Sequence, residues 1–137
     1  MPLRALPPAL ATALCALALG GCGTATSTAG FKGEQHEAAQ AIANLQSAAT
    51  AGEGPKICTH YLTKAIVSSL GGTKGCESAI KHQLAQVDNL EATVESVKLA
   101  PGGRSASATV KSINYGKNKL EKVALVKEGG SWKVSGP

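Results

Sequence analysis

Cysteine and histidine are the residues of this chain with the most distinctive chemistry. Cys15 lies inside an apolar run from Ala5 to Leu19, Cys22 directly follows that run and two glycines, and Cys58 and Cys76 lie much farther along. The histidines have none of the close spacing typical of zinc ligands; they are His36, His60 and His82. We therefore predict no metal site and expect the covalent chemistry to belong to the cysteines.

The N-terminal segment has the features of an export signal. Arg4 precedes the apolar run, which is shorter than the roughly 20 residues that a membrane-spanning helix needs. Leu19-Gly20-Gly21-Cys22 resembles a bacterial lipobox, at which a lipid is attached to the cysteine and the preceding peptide is removed. The resemblance implies a signal peptide at 1–21, a lipid on Cys22 and a location at the cell membrane, facing the extracytoplasmic side. The alternative is an ordinary secretory signal, because small residues before the cysteine also suit the general peptidase.

The remainder of the chain suits one domain on a flexible tether. Residues 22–33 are rich in Gly, Ser and Thr and predict a tether that reaches roughly 35 Å when extended. Residues 34–137 are enough for one core, which must be mainly aliphatic because aromatic residues make up only 3% of the chain. Cys58 and Cys76 are the two thiols left in an exported domain, so we predict a disulfide between them.

The formal net charge of +5 limits the classes of partner. A charge of this size is compatible with a position near anionic lipid or wall polymer. It is too small to indicate nucleic-acid binding, because the sequence has no basic run interleaved with aromatic residues. The basic excess after residue 88 is typical of a solvated sheet face. A docking surface for anionic lipid or polymer is the alternative interpretation.

Apolar periodicity predicts three helices. The first spans Glu34–Ala51, with apolar residues at helical spacing. A second helix begins at Pro55 and continues to Leu70. Because Ile66 and Val67 are β-branched, the second half of this segment could instead be extended. The third runs from Thr73–Gly75 to about Gln86 and points Cys76 toward the core.

The pattern changes to a period of two after Asp88-Asn89. Four strands are predicted at 91–99, 104–115, 119–127 and 131–135, and the intervening turns are Pro101-Gly102-Gly103, Gly116-Lys117-Asn118 and Glu128-Gly129-Gly130. Such turns predict an antiparallel meander with one face on the helices. Several lysines, among them Lys119 and Lys127, are expected on the opposite face.

Three helices, a four-stranded meander and a last hairpin reading Leu125-Val126-Lys127-Glu128-Gly129-Gly130-Ser131-Trp132-Lys133-Val134 resemble the NTF2-like family, which includes ketosteroid isomerase. The nearest likeness is to small NTF2-like lipoproteins of actinobacteria, which also carry a cysteine early in the second helix and another in the third. The resemblance implies an α+β cone with a pocket. Tyr61 and Trp132 are the large residues available to line such a pocket, beside an aliphatic wall.

Catalytic residues of the isomerase type are not matched in this sequence. Asp88 stands at a turn, where Asp is favoured for local hydrogen bonds. His60 and Tyr61 would point about 100° apart on a helix, so at most one would face inward. No phosphate loop, dinucleotide fingerprint or serine-nucleophile motif occurs, and no cofactor is expected.

These features predict a non-catalytic, lipid-anchored binding or interaction module at the cell envelope. Its partner would be a small apolar ligand or an envelope protein. The alternative is a degenerate NTF2-like enzyme, of the isomerase or hydrolase type, that uses the cone pocket. An enzyme would need an acid–base pair with shifted pKa values inside the pocket, whereas a binding module would need none.

Overall fold

The computed structural model describes residues 27–87 and 91–137, in which four helices precede a four-stranded antiparallel sheet. The helices are α1 (Gly33–Thr50), α2 (Gly54–Lys56), α3 (Lys64–Ser69) and α4 (Gly72–Leu84), with a π-helical turn at Ile57–Tyr61 between α2 and α3. The strands are β1 (Ala92–Leu99), β2 (Ser105–Asn114), β3 (Lys117–Glu128) and β4 (Ser131–Gly136). The predicted α+β class and the antiparallel meander are confirmed.

Helix α1 matches the first predicted helix and packs on one face of the sheet. Ala38, Ala39 and Ile42 are buried against it. The alanines have small side chains, so the helix backbone can lie close to the strands. The helix ends at Ala51 and Gly52, and Gly52 has a φ of +70°, a left-handed conformation that glycine adopts without strain. This packing forms the larger of two clusters of buried apolar residues.

The predicted second helix is wrong as a continuous element. After the short α2 and the π-helical turn, the chain becomes extended at Leu62, which forms a parallel bridge with Val134 of β4. The Thr63 N–H donates to the Val134 carbonyl at 3.0 Å, and the Thr63 hydroxyl accepts from the Ile66 N–H and caps α3. Ile66 and Val67 are helical, so the extended piece lies just before the position that the β-branched pair suggested. The described chain therefore has four helices where three were expected.

The third predicted helix is confirmed as α4, and Cys76 on it is buried. Cys76 and Cys58 form a disulfide, with a Cα–Cα distance of 6.1 Å. The bond lies in the second cluster of buried residues, which also contains Ala48, Ile57 and Leu62. It therefore ties the π-helical turn to α4 within this cluster.

The sheet has the order β1-β2-β3-β4. A bulge in β1 between Val94 and Ser96 adds one residue, so that Val94 and Val97 both face α1. Ala106, Ala108 and Val110 of β2 share that buried face, as the alternation in the sequence predicts. Leu125 and Trp132 complete the core from the last two strands.

Two details of the sheet differ from the prediction. The second turn is formed by Tyr115 and Gly116, with φ angles of +48° and +73°, so β3 begins at Lys117 rather than after Asn118. Lys127 lies on the same face as Leu125, because strand residues two apart point the same way, and it pairs directly with Trp132. Lys119 is separated from Lys127 by an even number of residues, so it too lies on the face of the sheet that carries Leu125 and not on the opposite face as predicted.

Candidate functional site

An open groove of about 580 Å³ lies between α1, the π-helical turn and the β3–β4 hairpin. Helix α1 provides one wall, the segment from Lys56 to Tyr61 provides the other, and the hairpin contributes Gly130, Ser131 and Trp132. Among the described residues, Ala41 is the one aliphatic side chain in the lining. The groove therefore lacks the aliphatic wall expected for a cone pocket, and most of its lining residues carry polar side chains.

The α1 wall is a row of polar side chains at helical spacing. His36, Gln40 and Asn44 recur every four residues and so lie on one face of the helix. Gln40 Nε2 donates to Asn44 Oδ1 at 3.0 Å, and the Thr28 hydroxyl donates to Gln40 Oε1 at 3.1 Å. His36 Nδ1 lies 3.1 Å from the Thr28 carbonyl oxygen, which can only accept, so this nitrogen carries the proton. The row is oriented before anything binds.

Residues at the end of the predicted tether provide that orientation. Thr28 contacts α1 through the two bonds just described, its carbonyl also accepts from the Phe31 N–H at 3.1 Å, and the Phe31 side chain packs against the main core. The segment from Thr28 to Phe31 therefore lies on the domain and forms part of the support of the groove.

The opposite wall depends on the π-helical turn. The Leu62 N–H donates to the Ile57 carbonyl at 3.2 Å, which closes the wider ring of this turn. Ile57 and Cys58 point into the second cluster, whereas His60 is exposed and Tyr61 half-buried. Both His60 and Tyr61 line the groove, and their ring centroids are 6.4 Å apart. Of the two, Tyr61 packs against the second cluster while His60 is exposed, which agrees with the expectation that at most one of them faces inward.

The hairpin end of the groove is held by one carboxylate on α1. Glu34 accepts from Lys127 Nζ at 2.7 Å and from Trp132 Nε1 at 3.1 Å. Lys127 also lies 5.5 Å from the Trp132 ring centroid, within cation–π range. The hydrogen bond from Lys127, followed by that from Trp132, lowers the pKa of Glu34. This cluster, Glu34, Lys127 and Trp132, fixes the hairpin against the first turn of α1.

Charge on the other wall is concentrated at Lys56. Its Nζ lies 3.2 Å from Glu53 Oε2 in an exposed pair, and this hydrogen bond raises the pKa of Lys56. Lys56 therefore stays protonated, and Glu34 stays ionised, at neutral pH. Each of these shifts moves the pKa away from neutrality, so neither prepares its group for proton transfer at that pH.

The structure brings some of the sequence-predicted residues together. Tyr61 and Trp132 both line the groove, and Cys58 and Cys76 are joined. Cys22 and Asp88 lie outside the described residues. Within residues 27–87 and 91–137, no cluster of three or more His, Cys, Asp or Glu side chains could hold a metal ion.

Comparisons with known proteins add no assignment. No protein-family model, curated protein or solved structure matches this chain. None of the described helices has both the length and the apolar character needed to cross a membrane. Function is therefore inferred from the groove and from the N-terminal sequence.

Sequence reasoning missed most of the groove. The row from His36 to Asn44 was present in the sequence at helical spacing, but polar residues opposite an apolar stripe are typical of a solvated face. No local pattern in the sequence indicated that Lys56, Gly130 and Ser131 would line a groove, because only the fold brings them beside α1.

Proposed function

We propose that this chain is a non-catalytic binding module of NTF2-like architecture, held at the extracytoplasmic side of the cell membrane by a lipid on Cys22. The observation that carries the proposal is the groove, which is lined by hydrogen-bonding side chains already oriented by Thr28 and by the Glu34 cluster. Preorganised polar groups increase affinity because less conformational freedom is lost on binding. Helices on one face of a four-stranded meander support the NTF2-like architecture.

The lining favours an envelope polypeptide over a small apolar ligand. An apolar molecule would leave Gln40, Asn44 and Lys56 without partners on their groove side, and burying unpaired polar groups is unfavourable. A polypeptide segment supplies carbonyls for Lys56 and N–H groups for the amide oxygens. An open groove also admits a chain that continues past both ends.

The two pKa shifts give no support to the degenerate enzyme. The pKa of Glu34, which is not among the lining residues, is lowered and that of Lys56 is raised, whereas an acid–base pair needs pKa values moved toward neutrality. His36, Glu37 and His60 line one groove, which is the observation in favour of the enzyme. If His60→Ala abolished turnover of any envelope substrate while leaving the fold intact, the enzyme would be the correct assignment.

Photocrosslinking in cells tests the groove as a partner site. A photoreactive phenylalanine analogue at His60 should give one defined protein adduct, because this residue lines the groove and is exposed. Asn44→Trp in the same chain should abolish the adduct by filling the opposite wall. The same analogue at Gln83, exposed on α4, is the control and should give none. An adduct that survives Asn44→Trp, or one that forms equally at Gln83, would show that the groove is not the partner site.

A further inference from the structure

The β2–β3 hairpin extends beyond the part of the sheet that the other described elements cover. Strand β1 pairs with β2 as far as Ser112, with one further bond from the Ile113 N–H to the Glu91 carbonyl, and β4 pairs with β3 only from Ala124. The last buried position of β2 is Val110, which pairs with Glu121. From that pair to the tip the hairpin reaches roughly 15 Å. We call residues 111–122 the hairpin extension.

The hairpin extension exposes two large apolar side chains. Tyr115 at the tip is 72% exposed and Leu120 is 65% exposed, the highest values among the large apolar residues of the described chain. Ile113 is half-buried, and the pairing places it diagonally next to Leu120 on the face turned away from α1. The extension therefore carries an apolar tip and an apolar side.

Tyr115 occupies an unfavourable backbone conformation at that tip. Its φ of +48°, followed by +73° at Gly116, is the arrangement of a type I′ turn, in which Asn, Asp or Gly is preferred at both central positions. It is the one described non-glycine residue with a positive φ. A strained backbone that carries an exposed aromatic side chain is unfavourable for folding. Backbone strain of this kind is concentrated at functional sites.

Lysines lie on both faces of the hairpin extension, Lys111 and Lys122 on the face of Leu120 and the others on the opposite face. Lys111, Lys117, Lys119 and Lys122 lie in the extension, against a single carboxylate, Glu121. Glu121 forms an exposed ion pair with Lys119 at 2.6 Å. The extension as a whole carries a net charge of +3, the greater part of the +5 of the full chain.

We propose that the hairpin extension is a membrane-contact element that docks on an anionic lipid bilayer. The lysines attract lipid phosphates, and Tyr115 and Leu120 enter the interface between head groups and acyl chains. Aromatic rings prefer this depth, and adjacent lysines increase binding to anionic leaflets. A soluble anionic polymer would account for the lysines but would leave no role for the exposed apolar pair.

Fluorescence of a tip tryptophan in the full chain tests the contact at the extension itself. Tyr115→Trp should shift its emission to the blue by about 10 nm on vesicles of phosphatidylglycerol and phosphatidylcholine, because the ring leaves water for the interface. Vesicles of phosphatidylcholine alone should give no shift. Leu99→Trp, at the other end of β1, is the positional control and should not respond. Trp132 is buried and contributes a constant background.

Charge and apolar variants in the Tyr115→Trp chain then separate the two contributions. Lys117→Gln with Lys119→Gln should raise the lipid concentration needed for half of the shift about 30-fold, at the usual contribution of each lysine near an anionic surface. Lys74→Gln with Lys81→Gln removes the same charge from exposed sites on α4 and should change it less than about twofold. Leu120→Ser should reduce the shift as well.

Three results would overturn the proposal. One is the absence of a shift at position 115 when the chain floats with the vesicles. Another is an equal shift with neutral vesicles. The third is tight binding to soluble poly(glycerol phosphate) that Leu120→Ser leaves unchanged, which would assign the extension to a polymer. Because the probe reports only on the tip, these results are independent of the groove, and the chain is used without the lipid on Cys22 so that binding depends on the hairpin extension.

Discussion

At the scale of single residues, Glu34 joins the hairpin end of the groove to α1. It joins Lys127 and Trp132, so it positions the β3–β4 hairpin beside α1. Nothing in the local sequence indicates this role, because an acidic residue in the first turn of a helix is common for reasons of the helix dipole alone. The strand parity of Lys127 and Trp132 could have indicated that both face the helix.

Glu34→Gln should make the stability of the protein less dependent on pH. The lowered pKa of Glu34 means that its stabilising contribution is present above the unfolded-state pKa and is lost as pH falls through the folded-state pKa. Denaturant unfolding should show the wild type more stable than Glu34→Gln at about pH 7, with the difference decreasing as the pH falls through the folded-state pKa of Glu34. Gln can still accept from Trp132, so the comparison reports on the ion pair with Lys127.

Glu95→Gln, on the exposed side of β1, is the control for this comparison. It removes the same charge and should show almost no difference at neutral or acid pH. A Glu34→Gln difference that persists unchanged in acid would contradict the assigned role of the carboxylate.

Tyr115→Asn should raise the stability of the folded protein by about 1 kcal/mol, because Asn adopts positive φ more readily than Tyr. Gly116→Ala in the same turn should have the opposite effect, since it introduces a side chain at a φ of +73°. Thermal unfolding measures both. A destabilised Tyr115→Asn would show that the ring is retained for folding rather than for contact with a surface.

At the scale of elements, the region from α2 to α4 is held by covalent and backbone contacts in addition to the packing of its apolar side chains. The disulfide closes a separation of 18 residues between the π-helical turn and α4. Gly75 allows α4 to pass directly beside the Leu70 carbonyl, where a Cβ atom would overlap the oxygen. The disulfide thus joins the groove wall from Lys56 to Tyr61 to α4, and Gly75 permits the close approach of α3 and α4.

Removal of the disulfide by Cys58→Ala with Cys76→Ala should lower stability by about 3 kcal/mol in the chain-entropy model. For a domain of this size the melting temperature should fall by about ten degrees or more. Calorimetry with and without reductant checks the value, because reductant should change the wild type and leave the double variant unaffected. A wild type insensitive to reductant after denaturation would show that the thiols are not joined in the isolated protein.

Gly75→Ala should destabilise the protein by about 1–3 kcal/mol, because either α4 or the end of α3 must move to admit the methyl group. Gly30→Ala is the matched control, since no atom lies within 4 Å of the place its methyl group would take and its φ is not positive. Equal unfolding midpoints for the two variants would contradict the close approach of α3 and α4.

The sequence predicted the elements whose signal is local and missed those that depend on distant contacts. Helix α1, α4 and the meander follow from periodicity and from glycine-containing turns. The break at Leu62 does not, because it results from pairing with Val134, more than half of the chain away. The second turn was displaced because Asn118 and Gly116 are both turn formers, whereas Tyr115 is not. The polar groove could not be read from the sequence, because three separate segments form it.

For the whole molecule, the structure separates two surfaces that the sequence did not distinguish. The groove lies beside the first turns of α1 and the β3–β4 hairpin, while the hairpin extension lies at the opposite end of the sheet from that hairpin. A module held at a bilayer by its N-terminus and docked by the extension would keep the groove available to a partner. Of the two surfaces, the hairpin extension has its proposed role only if the chain is at a membrane.

The proposed location at the membrane depends on a lipid at Cys22. Intact-mass spectrometry of the protein isolated from its own membrane fraction tests for this lipid most directly. We predict a chain that begins at Cys22 and carries a diacylglycerol group, and we predict that Cys22→Ala accumulates with residues 1–21 still attached. An unmodified N-terminus at any other residue, in protein recovered from the soluble extracellular fraction, would contradict the lipid anchor and with it the proposed location.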